Sequence, residues 1–181
     1  IMAAEYEFHG FIAVVDEVNV SMNPIGVDGA KALAEVLPES SLKCLIIGPK
    51  STRLPVNDAK VTELNFEGQD FTPAEVTLVA AATSTMAALT SVNCLANQFG
   101  EDDLATLLTA IEGTSVRSLC GLTEGQTVAD FSGQNLGPID MKIMAAEYGF
   151  QGVIAAVASL RCGNNPAMFG KLNDIHGYLE T

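Results

Sequence analysis

The chain repeats itself, and that constrains its fold more than any other feature of its 181 residues. Ile1 to Phe8 reads IMAAEYEF, and Ile143 to Phe150 reads IMAAEYGF. Leu64 to Pro73 (LNFEGQDFTP) aligns with Ala129 to Pro138 (ADFSGQNLGP), and Val18 to Gly26 (VNVSMNPIG) aligns with Val92 to Gly100 (VNCLANQFG). A smaller unit lies inside these copies, with apolar residues at positions 1, 4 and 6 and a side-chain amide at position 9. It starts at Val15 (Val18, Val20, Asn23), Val61 (Leu64, Phe66, Gln69), Leu89 (Val92, Cys94, Asn97) and Val157 (Leu160, Cys162, Asn165). Weaker versions start at Leu42, Val116 and Gln126. A chain of recurring units buries each unit's apolar face against the next one.

Positions 4 and 6 alternate as one face of a short strand, so they point inward while positions 3 and 5 point out. The amide at position 9 is suited to bonding backbone groups where the strand bends. Helical faces lie between the strands: Ala30, Leu33, Ala34 and Leu37 form one, and Leu104, Leu107, Leu108 and Ile111 another. The pattern reads L-x-x-L-x-L-x-x-N-x-L, and the chain resembles the leucine-rich repeat family. The run NPIGVDGAKALAEVL, Asn23 to Leu37, resembles the ribonuclease inhibitor-like subclass. The resemblance implies an α/β solenoid with a curved parallel sheet inside, helices outside and about seven irregular coils. It covers 1–181 as a single domain. Since the chain opens at Ile1 without polar capping segments, the expectation is a processed product, a fragment or part of a longer repeat array.

Two spacings depart from the pattern. Leu42 to Val61 is only 19 residues and includes Pro49 and Pro55, while Val116 to Gln126 is 10. Either Val116–Cys120 and Thr127–Phe131 form compressed coils, or one of them leaves the sheet.

Composition narrows the partners. Nine Lys+Arg against 22 Asp+Glu give a net charge of −13, which disfavours nucleic acid and anionic membranes. No apolar run approaches the roughly 18–20 residues needed to span a bilayer, so no membrane insertion is expected. The four cysteines have no CxxC spacing and read as thiols of a reducing, intracellular and cytoplasmic setting, with an organelle left open. Cys94 and Cys162, at inward position 6, are expected in the core; Cys44 and Cys120 are expected to be more open.

Chemical motifs are sparse. His9 and His176 have no neighbour at nucleophile or metal spacing, and no phosphate-loop, dinucleotide, nucleophile-elbow or zinc-protease motif occurs. No catalytic residue, cofactor or metal ligand is assigned. Asn19-Val20-Ser21 matches the glycosylation sequon but lies on an expected strand. The acids at Glu101-Asp102-Asp103, Asp28, Glu75 and Asp140 sit at helix starts, where unpaired N–H groups and the helix dipole stabilise them.

The surface that remains is the outward face of the strands. Its rows supply Glu17, Asn19, Glu63, Asn65, Ser91, Asn93, Asp130, Ser159 and Arg161, with Glu67 just beyond. The expected function is a non-enzymatic scaffold that binds a protein with a basic surface through this acidic, amide-rich concave face. Two rival readings are a structural subunit that docks into a larger assembly through open ends, and a GTPase regulator of the Ran GTPase-activating type using Arg161 or Arg117.

Overall fold

The strands are short because the apolar alternation that defines each of them lasts only one or two residues. A computed structural model describes residues 15–149 and 156–169. Its strands are β1 (Glu17–Asn19), β2 (Cys44–Ile47), β3 (Thr52–Pro55), β4 (Glu63–Asn65), β5 (Ser91–Asn93), β6 (Val128–Asp130) and β7 (Ser159–Arg161). In β1, β4 and β6 the middle residue (Val18, Leu64, Ala129) is buried while both neighbours are exposed. Four of the strands end in the same local device. The side-chain oxygens of Asn19, Asn65, Asn93 and Asp130 each accept the backbone N–H two residues on, at 2.9–3.1 Å. These Asx turns bend the chain out of the strand. A left-handed residue then follows each of them, with φ of 57–59° at Met22, Asp70, Ala96 and Asn135, and Asn164 takes the same conformation after β7.

Helices α1 (Gly26–Val36), α2 (Pro73–Thr83), α3 (Glu101–Ile111) and α4 (Pro138–Gly149) occupy the intervals. Acidic first-turn residues cap α2, α3 and α4, whereas α1 has no side-chain cap. Glu75 accepts the N–H and hydroxyl of Thr72, Asp103 accepts Gly100 N–H, and Asp140 accepts Gly137 N–H. Helix α2 packs against α1 on one side and α3 on the other. This double contact explains why Ala74, Val76, Leu78, Val79, Ala80 and Ala82 are all buried instead of forming one apolar stripe. The core continues beneath the strands through Phe66 and Phe71, whose ring centroids are 5.4 Å apart.

The expected leucine-rich repeat solenoid of about seven coils, with one continuous curved sheet, is overturned. The described residues form a small mixed α/β fold with four α-helices, in which the strands fall into separate sheets ordered β1-β2-β3, β4-β5 and β6-β7. One pair, β2 with β3, is antiparallel.

Each break has a physical cause. After β2 the chain turns back as a hairpin, and β3 takes the edge that a following parallel strand would need. Val56 N–H donates to Lys43 C=O at 3.0 Å, so by the alternation of an antiparallel ladder Pro55 faces outward at the edge. Proline has no N–H to offer there and ends the sheet. The second break follows β5. Segment 118–120 meets β5 only through the isolated bridges Ser91–Ser118 and Asn93–Cys120, and β6 pairs with β7 instead. The compressed interval between Val116 and Gln126 thus resolves as two segments that belong to different sheets.

The thiol expectations are half revised. Cys94 is buried as expected, but Cys120 and Cys44 are buried too, and Cys162 is the least enclosed of the four unpaired thiols. Burial pushes the Cys94 thiol up to about 12 and raises Cys120 well above its ordinary value. The residue-1–8 copy of the repeat, His9 and His176 lie outside the described residues.

Candidate functional site

The outward side chains divide into three groups set by the sheet breaks. On the first sheet Glu17 is exposed but not free, because Arg53 on β3 donates to its carboxylate at 2.6 Å. Asn19 is exposed, and its carbonyl oxygen also accepts the Ser21 hydroxyl at 2.7 Å. On the last sheet Asp130 pairs with Arg161 at 3.6 Å and Ser159 is half-buried. Hydrogen bonds from Ser132, helped by burial-opposing Arg161, hold the Asp130 carboxyl below its usual range. Each outer group therefore carries a base that neutralises an acid.

The middle sheet differs. Glu63 and Asn65 are exposed and Glu67 is half-buried, and neither glutamate forms an ion pair with a described residue. Glu67 instead accepts the Asn93 amide at 3.2 Å, which joins the end of β4 to the end of β5. Beside them runs a groove of about 300 Å³ lined by Glu63, Leu64, Asn65, Ser91, Asn93 and Gly121. Gly121 is required at its wall: φ is +74°, and a Cβ there would lie 2.9 Å from that of Asn93. Ser91, expected on the outward row, is only 3 % exposed, since β4 and Ser118 flank it on both sides. It shapes the groove floor and is not a contact surface.

At position 9, Asn97 and Asn165 face inward and hold backbone, whereas Asn23 is exposed. Asn97 donates to the carbonyls of Phe66, Cys94 and Leu95 and accepts Phe71 N–H, all between 2.8 and 3.2 Å. Asn165 repeats the arrangement with Phe131, Cys162, Gly163 and Leu136. Leu160, an expected inward residue, is 40 % exposed. The two arginines considered for a GTPase partner are both engaged: Arg161 with Asp130, and Arg117 with the carbonyls of Thr114 and Val116 at 2.8 Å.

One cluster escaped the sequence reading. Glu147, near the end of α4, is fully buried, and its Oε1 accepts the Ser118 hydroxyl at 2.9 Å, Cys120 N–H at 2.7 Å and Leu119 N–H. It thereby occupies N–H groups at the second sheet break. Asp140, about two turns earlier on the same helix, does similar work: it is 2 % exposed and also accepts Ala96 N–H at 2.8 Å. The available signal was the conserved spelling within the chain itself, since IMAAEY carries a glutamate among apolar residues in both copies. Among the described residues no three His, Cys, Asp or Glu side chains converge as a metal set, and no helix is long and apolar enough to cross a membrane.

Compared with known protein families and with curated proteins, the chain matches none.

Proposed function

We propose that the protein is a non-enzymatic protein–protein interaction scaffold, and that it takes a basic segment of its partner onto the middle sheet. The observation that carries this reading is the asymmetry of charge along the strand face. Glu17 and Asp130 are neutralised by Arg53 and Arg161, whereas Glu63 and Glu67 flank the groove without a countercharge among the described residues. The net charge of −13 adds a long-range field of the same sign. Such a field speeds the approach of Lys or Arg side chains and weakens with salt over a Debye length of roughly 8 Å at physiological ionic strength. Asn65 and Asn93 offer amide groups that set orientation beside the charges.

The test is calorimetric titration of a lysine-rich decapeptide into the wild type and the Glu63→Lys/Glu67→Lys variant, at low and moderate salt. The double reversal is expected to weaken binding by about 1–3 kcal/mol. Glu17→Lys, which removes a carboxylate already paired with Arg53, is expected to do less. Equal affinity for wild type and the double reversal at both salt concentrations removes this face as the binding surface.

A further inference from the structure

We infer that Glu147 is a pH-controlled latch: while protonated it holds the end of α4 against segment 118–120, and as it ionises the latch loosens and leaves Leu119 N–H unpaired, and Cys120 N–H with only the Ser118 hydroxyl, at the edge of the middle sheet. The geometry makes this carboxyl unlike the other acids of the chain. One oxygen gathers three donors from a single stretch, Ser118 Oγ, Leu119 N–H and Cys120 N–H. The other, Oε2, is buried with no partner at all. No ion pair reaches the group from any described Lys or Arg.

The surroundings are neutral or acidic from every element. Segment 118–120 contributes the Cys120 thiol, the end of β5 contributes the Cys94 thiol, and Asp140 lies on Glu147's own helix and acts on Cys120. An ionised Glu147 is therefore a desolvated charge with no countercharge, held only by hydrogen bonds. Burial raises its pKa above the ordinary carboxylate value, and the donors from Ser118, Cys120 and Leu119 offset only part of that shift.

The sign follows from linkage. Released into water, Glu147 titrates at its ordinary value; latched, it holds its proton to higher pH. The latched state therefore binds more protons between the two values, and it loses ground to the released state as pH rises through that interval. The inner side of segment 118–120 stays attached whatever Glu147 does, because Val92 N–H donates to Ser118 C=O at 2.8 Å and Cys94 N–H to Leu119 C=O at 3.0 Å. Release thus exposes an edge without dissolving the sheet.

Amide hydrogen exchange followed by NMR over about pH 4 to 8, corrected for intrinsic rates, reads the latch directly. In the wild type the protection of Leu119 N–H is expected to fall about tenfold for each unit by which the latched and released values differ, that of Cys120 N–H to fall less because Ser118 Oγ also accepts it at 3.1 Å, while Val92 N–H stays constant. Glu147→Gln keeps an acceptor oxygen and cannot ionise, so its Leu119 and Cys120 protection is expected to be flat with pH. The same profile in wild type and Glu147→Gln overturns the inference. The wild-type protein alone also decides it: carbon-13 titration of the Glu147 carboxyl is expected above the ordinary carboxylate range, and titration within that range overturns the latch.

Discussion

The two interruptions of the strand face reach the same end by opposite means. At the first, between β3 and β4, the break is made by local backbone chemistry: a hairpin only four residues long at its turn, closed by Ser51 N–H to Gly48 C=O at 3.3 Å, and a proline at the outward edge. At the second, after segment 118–120, it is made by a side chain that arrives from a helix 27 to 29 residues further on. The first break needs no tertiary partner, because a proline edge repels a neighbouring strand on its own. The second exists only while α4 is docked. A sheet edge that is blocked covalently is permanent; one that is blocked by a side-chain carboxyl group depends on packing and on protonation.

Removing the second block separates the two cases most sharply. Glu147→Ala leaves the Ser118 hydroxyl and Leu119 N–H without their acceptor, at about 1–3 kcal/mol each before relaxation, and leaves Cys120 N–H with only Ser118 Oγ at 3.1 Å. The expected loss is about 3–5 kcal/mol in denaturant unfolding, the largest of any single outward-row or break-site change. A loss below about 1 kcal/mol would mean that water reaches these donors and that α4 does not hold the junction.

Asn97 and Asn23 occupy equivalent positions but differ in burial, so they measure how much a bend amide contributes inside and outside the core. Asn97→Ala strips partners from three buried carbonyls and from Phe71 N–H. It is expected to cost about 2–3 kcal/mol. Asn23, exposed and bonded to the carbonyls of Val20 and Ser21, is expected to cost about 1 kcal/mol or less when changed to Ala. Comparable losses at both sites would show that the bend, and not its burial, sets the energy. The smallest effect in stability is expected at the first break. Pro55→Val restores an N–H at an exposed edge and is expected to change unfolding by no more than about 0.5 kcal/mol. Its signature is self-association in sedimentation, because an unblocked edge is a template for a second strand.

What could be read in advance follows the same division. The alternation around Val18, Leu64, Val92, Ala129 and Leu160 located five of the strands, since a two-residue period is local. The inward amides at Asn97 and Asn165 were legible for the same reason: they bond backbone two or three residues away. The assembly of strands into one solenoid was not, because identical units carry no instruction about which neighbour must be left unpaired. Pro55 stood in the short interval that drew notice, but the hairpin it ends was not foreseen. Glu147 recurs in both IMAAEY copies, but its role was not legible: its partners lie in a different unit, and an acid on an apolar helix face reads as an anomaly until its donors are placed. The site shows the corresponding error. Glu17 and Glu63 looked equivalent as outward acids, and only the position of Arg53 on an unforeseen strand distinguishes them.

The spacing of the pairings bears on how the chain finds its fold. Paired residues are 27 apart in β1 and β2, 28 apart in β4 and β5, and 31 apart in β6 and β7. Closing loops of such similar length differs by only about 0.1 kcal/mol of chain entropy. No parallel pair is therefore favoured as a starting point by its reach along the chain. The order of assembly falls to what each closure buries, and β4 with β5, over the Phe66–Phe71 contact and beneath the enclosed α2, is expected to form first; φ-values no higher at Leu64 and Val92 than at Val18 and Ala129 would reverse that order. Folding that begins in the middle and spreads to both ends is the kinetic counterpart of three sheets sharing one core.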